Sequence, residues 1–367
     1  MTVAPAPGLR VGLIGCGRIA QWVHLPILTR LPGVELTALA EPDPERRSAA
    51  AARAPGAVAV ADYRELLASP RVAAVVICLP SGLHGHAAIA ALEAGKHVYL
   101  EKPVATDLAE GARVVAARRR AGTVGMIGFN YRFNRLYAEL RRRIHSGDVG
   151  EPVGARSVFA TVVRPLPAWK HTRQGGGGAL LDLASHHIDL VRFLFEEEVE
   201  SVFATLRSQR VEDDSATLGL RLTGGLLVQS FFSLCAIDED RFEVYGHRGK
   251  LAVDKYASTT VEFVAANRRG ARVQRLAHGL RSVAHGPYLL EKLRAPGNEP
   301  SYAAALQRFV TAAQAGRPDL GTPDMLDGYR SLAVVAAAEE AARSGRVVTL
   351  PPTLDAGGAG GAEQDDG

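Results

Sequence analysis

The stretch "LRVGLIGCGRIA", Leu9 to Ala20, limits what this chain can fold into more than any other. A short apolar run ends in Gly15-x-Gly17-x-x-Ala20, and a helix-like stretch follows. The first glycine permits a tight turn, and the second lets a pyrophosphate approach the backbone. The third position needs only a small residue where helix packs on strand, and alanine serves. The helix start then offers free N–H groups and a positive dipole end to the phosphates. A glycine-rich turn alone says little. At the first strand–helix junction of a βαβ unit it points to a dinucleotide-binding domain, with Gly15, Gly17, Arg18 and Ile19 lining the turn.

The next hundred residues keep that texture. Short runs ("VELTALA", "VAAVVICLP", "KHVYLE", "TVGMIGF") alternate with alanine-rich stretches such as "HAAIAALEAG" and "DLAEGARVVAARRRAG". The runs lack period-2 alternation, so they read as strands buried on both faces under crossover helices, a doubly wound parallel sheet over residues 1–128. Glu41 ends the second strand, 24 residues past Gly17. A carboxylate there accepts hydrogen bonds from the adenine-side ribose and repels a 2′-phosphate, so NAD is expected over NADP. Asp43 competes for that role or starts the next helix. In open α/β sheets ligands lie at the carboxyl ends of the strands. The loops Leu79-Pro80-Ser81, with His84 beyond, and Glu101-Lys102-Pro103 are therefore expected beside the cofactor.

After Tyr131 the texture changes to one helix-like segment, "LYAELRRRIHSG", and longer strand candidates. These are "VGARSVFATVV", "ESVFATLRSQR", "SATLGLRLTG", "LLVQSFFSLCA" and "RFEVYGHRGKLAVD", with "LTGG" as a hairpin turn. An antiparallel or mixed sheet in a second domain, 129–350, is expected. Leu226, Leu227, Val228, Phe231 and Phe232 cannot all face one way, so a second copy of the chain is expected on one face. Residues 278–300 read as a loop, and 351–367 as a disordered low-complexity tail.

Bulk composition removes several function classes. The formal charge is +4, and the basic runs Arg118–Arg120 and Arg141–Arg143 read as solvated helix ends with no interleaved aromatics, so nucleic acid is not expected. Cys16, Cys78 and Cys235 are too scattered for a disulfide framework or metal site. No run has the roughly 18 apolar residues of a membrane span, and "MTVAPAPGLR" does not read as a signal peptide. A cytoplasmic protein is the default expectation.

The pieces "GLIGCGRIA", "CLPSGLH", "ALEAGKHVYLEKPVA", "GFNYRF", "GGGALLDLASHHIDL" and "ARSGRVVTL" together resemble the Gfo/Idh/MocA oxidoreductases, from about Leu9 to Leu350. The resemblance implies an N-terminal Rossmann domain, a C-terminal α+β domain on a large open, mostly antiparallel sheet, and NAD(P) at their junction. It also implies a lysine and a histidine meeting at the substrate, which map to Lys102 and His186, with Asp182 four residues before the histidine. Many relatives have threonine-proline-asparagine where Leu79-Pro80-Ser81 stands, and glycine where Ala184 stands.

The implied chemistry is coherent by itself. Oxidising a secondary alcohol needs a base near pKa 7, which His186 supplies, while the Lys102 ammonium stabilises the alkoxide. Asp182, on the same helix face, either fixes the imidazole or holds a neighbouring hydroxyl. His187 lies about 100° round the helix and is expected to pack. Asp189 reads as a cap or salt-bridge partner, and Gly175–Gly178 as a close approach to ligand or a flexible lead-in. Trp169, Lys170 and Arg173, with Tyr131 and Arg132, are candidate contacts to a polyol or sugar substrate. A metal on Asp182, His186 and Asp189 lacks a matching ligand set, and hydride transfer needs none. Two rivals remain: an NAD-dependent glycosidase or epimerase-like enzyme, revealed by glycoside turnover without NADH build-up, and a dinucleotide-sensing regulator. Retention of both Lys102 and His186 argues against the regulator.

Overall fold

The computed structural model describes residues 8–266, 286–319 and 321–351. The chain forms two compact units. The first runs to Gly128 and takes back Ala305–Leu332. The second is Phe129–Ala304 with Ala333–Pro352. The domain boundary expected near 128 is therefore crossed again, because two late helices each divide between the units.

In the first unit, β1 (Leu9–Ile14), β2 (Val34–Ala40), β3 (Val58–Val60), β4 (Ala74–Ile77), β5 (His97–Leu100) and β6 (Gly125–Ile127) form one sheet in the order β3-β2-β1-β4-β5-β6. All its pairings are parallel. Parallel neighbours need crossovers, supplied by α1 (Leu25–Leu28) with the wider π-type turn Ala20–His24 before it, α2 (Pro44–Arg53), α3 (Tyr63–Ala68), α4 (His84–Glu93) and α5 (Leu108–Ala121). The order reverses between β1 and β4, which puts the Gly15 turn at the switch point where such sheets bind ligands. Asp43 caps α2, its carboxylate accepting from the Arg46 amide at 2.8 Å.

The second unit is built on β7 (Pro152–Ala160), β8 (Val199–Arg207), β9 (Ser215–Leu222), β10 (Leu227–Ser233), β11 (Glu239–Gly246), β12 (Gly249–Asp254), β13 (Glu262–Ala265) and β14 (Val348–Thr349). The order is β13-β12-β11-β7-β10-β9-β8-β14, antiparallel except where β10 runs parallel to β7. Helices α6 (Arg135–His145) and α7 (Ser185–Phe195) pack together on one side, and a second π-type turn, Leu180–Ala184, leads into α7 against β7 and β10. Alternation decides the rest. Val228 and Phe232 turn inward, while Leu227 and Phe231 stay exposed with Phe203 and Val153.

The stretch read as a loop over 278–300 is corrected where it is described. Gly286–Arg294 is a helix, α8, and Pro296–Asn298 a tight helical turn. With Tyr288, Leu289 and Leu293 along it, its apolar positions are helical, but the sequence before it hid the period. Residues 278–285 and the 352–367 part of the tail lie outside the described residues. Helices α9 (Ser301–Ala315) and α10 (Met325–Ser344) follow. No helix among the described residues is long and apolar enough to cross a membrane.

Candidate active site

The dinucleotide turn has the required geometry. Gly15 sits at φ +86°, and a Cβ there would come within 2.7 Å of the Cys78 carbonyl oxygen, so only glycine fits. At Gly17 a Cβ would meet nothing within 4 Å, leaving the open space over the backbone that a pyrophosphate requires. Arg18 is exposed beside it and stacks on Trp22, while Ile19 is half-buried. These residues fit a dinucleotide.

Glu41 is buried, and it holds the turn itself. Its Oε2 accepts the Cys16 amide at 2.8 Å and its Oε1 the Asp43 amide at 3.1 Å. The exposed Arg46 guanidinium lies 3.2 Å from Oε1. A carboxylate offers about four lone-pair sites, so capacity for a ribose hydroxyl remains. Sequence reading missed Arg46, which sets a cation beside that carboxylate. Burial, and then the Glu41 charge, push the Cys16 thiol up to about 12, so it stays protonated.

The two other strand-end loops are tied to each other. His84 is buried, with Nδ1 2.7 Å from the Pro103 carbonyl and Nε2 2.8 Å from that of Leu79. Only an imidazolium donates to both, yet burial outweighs the carbonyls and lowers its pKa, so the neutral ring donates one bond. His84 thus sits between the Leu79-Pro80-Ser81 loop and the Glu101-Lys102-Pro103 loop, a ring nitrogen against each and a hydrogen bond to one. Leu79 and Pro80 are half-buried and Ser81 buried. Glu101 is also committed internally, to His24 Nε2 at 2.7 Å. Lys102, half-buried, follows it and precedes a cis-proline. Of the expected cofactor contacts, His84 has both ring nitrogens facing protein carbonyls, and Glu101 has one carboxylate oxygen on His24.

The second unit gathers the remaining candidates around α7. Asp182, in the π-type turn, pairs with Lys170 Nζ at 2.6 Å, and that ammonium lies 5.3 Å from the Trp169 ring centre. π-type turns concentrate at functional sites. The glycine run lets the chain meet its own backbone: a Cβ at Gly175 would stand 2.1 Å from the Trp169 carbonyl oxygen, and one at Gly177 2.1 Å from that of Lys170. Arg173 is held by Glu339.

His186, 8% exposed, stacks on Tyr131 with ring centres 4.7 Å apart and planes 21° from parallel. Tyr131 is buried and its hydroxyl donates to Asp240. Arg132 forks onto Asp189, Nε to Oδ2 at 2.9 Å and Nη2 to Oδ1 at 2.6 Å. Tyr131 and Arg132 were expected at the substrate, but their polar ends are turned into the protein, which makes them supports of α7. His187 packs among Phe159, Phe232 and Phe242, with Nε2 3.0 Å from Asp240. Among the described residues no three His, Cys, Asp or Glu side chains converge as a metal would need. Asp182 and Asp189 instead meet a lysine and an arginine.

Asp240 was not found from the sequence. It is fully buried, accepts from Tyr137 at 2.8 Å and lies 3.1 Å from the Lys255 ammonium. Burial would raise its pKa, but Lys255 and His187 outweigh it and hold the carboxyl well below its usual range. Burial would lower Lys255, but Asp240 and Glu299 hold it above the ordinary lysine value. Burial and then the Asp240 charge push both tyrosines well up. A signal did exist: Asp240 shares the inward parity of Phe242 and Val244 along β11.

Comparison with known proteins agrees with this layout. Residues 9–129 match the oxidoreductase family with an NAD-binding Rossmann fold, and 137–252 match the GFO/IDH/MocA C-terminal domain. The chain is 29% identical to a myo-inositol 2-dehydrogenase of Thermotoga maritima, over 94% of this chain and 100% of that protein. It is 32% identical to a 1,5-anhydro-D-fructose reductase of Ensifer adhaerens, over 66% of this chain and 74% of that one. Among solved structures, the WlbA dehydrogenase from Bordetella pertussis, in complex with NADH and UDP-GlcNAcA, superposes with a TM-score of 0.79 at 25% identity, covering 95% of this chain and 99% of that one. Both units are thus matched by the two halves of one family, and the chain belongs to the Gfo/Idh/MocA oxidoreductases.

Proposed function

We propose that this chain is an NAD(P)-dependent oxidoreductase acting on a secondary alcohol or ketone of a sugar, cyclitol or sugar derivative. The relatives named above are dehydrogenases and a reductase of such compounds. A nicotinamide dinucleotide held by the Gly15–Gly17 turn would supply or accept the hydride. His186 takes the hydroxyl proton in oxidation and returns it in reduction. Lys102 stabilises the developing alkoxide. Asp182, four residues before His186 and already paired with Lys170, holds a neighbouring substrate hydroxyl, with Trp169 beside it. The observation that carries this reading is the placement, within about one helical turn, of a nearly buried histidine and an ammonium–carboxylate pair.

NADH absorbance on a panel of sugars, cyclitols and glycosides tests it. His186→Ala is expected to lose about 10²–10⁴ in turnover while keeping its NAD affinity. Loss of NAD affinity in step with turnover refutes the assignment.

NAD is proposed as the preferred cofactor, because the Glu41 carboxylate disfavours a 2′-phosphate. Arg46 opposes that preference, so the dissociation constants of NADH and NADPH, read by nicotinamide fluorescence, decide it. A second copy of the chain, forming a homodimer or homotetramer, is proposed to cover the sheet face bearing Phe203, Leu227 and Phe231, whose exposed apolar side chains support the idea. Light scattering measures it, and a monomer at micromolar concentration refutes it.

A further inference from the structure

Buried charge sits unusually close to His186, and the proposed chemistry does not use it. Asp240, Lys255 and Glu299 are all buried, with Lys255 Nζ 3.1 Å from Asp240 and 3.7 Å from Glu299. They are drawn from β11, the end of β12 and the residues before α9. Onto this cluster converge Tyr137 from α6, His187 from α7 and Tyr131 from the turn before α6. Stability alone is a weak reason to keep such a cluster, since a well-packed apolar replacement is often as stable. Direction is the better reason, because hydrogen bonds fix where a group points and apolar packing does so less strictly.

Tyr131 is the group so fixed. Its hydroxyl is gripped between Asp240 Oδ2 and Lys255 Nζ, the latter at 2.8 Å. Tyr137 stacks on its ring at 5.3 Å. The ring then lies nearly parallel to the His186 imidazole at 4.7 Å. Phe159 stands 6.1 Å from the same imidazole, tilted by 58°. An imidazole facing a plate that cannot slide has little freedom to turn about its own side-chain bonds.

We propose that Tyr131 is a positioning residue for His186, tethered by the Asp240–Lys255 pair so that its ring sets the plane of the imidazole. The proposal rests on the reading that His186 transfers the substrate proton. It also gives the paired histidines separate tasks. His187 anchors α7 to Asp240, while His186, one residue earlier, lies on the tyrosine clamped by the same carboxylate. Proton transfer tolerates little misplacement, about 10²-fold in rate for 1 Å, so a loosened plate shows in turnover before it shows in binding.

Two variants separate tether from plate. Tyr131→Phe keeps the ring and removes the tether, and is expected to lower kcat about tenfold. KM and the NADH dissociation constant should stay within about twofold of wild type. Tyr131→Leu removes the stacked face and should cost more. A second readout needs no turnover. The His186 ring-proton resonances, identified by their loss in His186→Asn, should sit upfield through the tyrosine ring current. They should broaden in Tyr131→Phe and move downfield in Tyr131→Leu. Wild-type kcat together with unchanged His186 resonances in Tyr131→Phe overturns the proposal. A KM rise at constant kcat also overturns it, since that marks a substrate contact. If His186→Asn itself retains turnover, the proton-transfer reading fails, and the resonances then decide the orientation claim alone.

Discussion

Replacing Arg132 with methionine tests how α7 is held. Asp189 is fully buried and takes both arms of the Arg132 fork, at 2.9 and 2.6 Å. A second cation near it is Arg192, at 3.6 Å, which is itself engaged by Glu198 at 2.6 Å. Methionine keeps most of the arginine stem's volume, so the change isolates the charge. Stripping one partner from a buried pair costs about 3–5 kcal/mol, because the other charge stays behind uncompensated. Arg192 offsets part of that, and about 3 kcal/mol is expected. For a cooperative unit of 150–250 residues each kcal/mol moves the midpoint by about 2–4 °C, so Tm should fall by about 6–12 °C. Calorimetry reads this in the transition of the second unit. The double variant Arg132→Met, Asp189→Leu removes the orphaned charge and should recover at least half of the loss. A single-variant drop below about 2 °C, or a double variant less stable than the single, would show that an uncompensated charge is not the source of the cost.

Three other changes probe the loops and the sheet. Gly177→Ala places a Cβ 2.1 Å from the Lys170 carbonyl oxygen and should disturb the Lys170–Asp182 pair. Turnover should fall at least about tenfold with NADH affinity intact, whereas Gly219→Ala, with nothing within 4 Å, should be silent in the same assay. His84→Leu removes the one hydrogen bond that the neutral ring donates to the Leu79 or Pro103 carbonyl, at about 1–3 kcal/mol for a buried group left unpaired, and fluorescence titration should show weaker NADH binding at an unchanged KM for the polyol. Glu243 titrates well below its ordinary value, at about 2: burial raises it, but hydrogen bonds from Lys250, Tyr245 and Arg241 outweigh that. A depressed carboxyl contributes stability that is full above pH about 4.5 and lost as pH falls towards about 2, on the order of 2 kcal/mol after solvent screening. Urea titrations across that window should show a flatter acid limb for Glu243→Gln.

The parallel sheet was legible because its signals are local. A strand, a glycine turn and a helix start occupy twelve consecutive residues, and each short apolar run is doubly buried for one reason, its crossover helices. The antiparallel sheet was legible through parity, with Leu227 and Phe231 on one face and Val228 and Phe232 on the other. Two larger features escaped, besides the three-residue edge strand β3, whose Val58 is exposed. The return of Ala305–Leu332 to the first unit leaves no mark in composition, since a helix reads the same whichever sheet it joins. Helix α8 follows a stretch without period, so its few apolar positions had no neighbouring pattern to join.

The site divides along the same physical line. Asp182 and His186 were singled out by the family resemblance of the segment that holds them, and their spacing of four then suggested a shared helix face. What surrounds them was not found, because those partners lie far along the chain. Tyr131 meets Asp240 across 109 positions, Lys255 meets Tyr131 across 124, and Asn134 meets Glu299 across 165. No local rule links such positions, and "AIDEDRF" looks like a charged turn until β11 assigns Asp240 to the inward side. The same limit explains why Tyr131 and Arg132 read as substrate contacts. A polar residue at a strand end is equally suited to a ligand or to a buried carboxylate, and only the fold says which is nearer. A carboxylate on the apolar parity of a strand is the signal to search for in such chains, because burying that charge obliges the protein to send it partners. Here those partners include the tyrosine on which His186 rests.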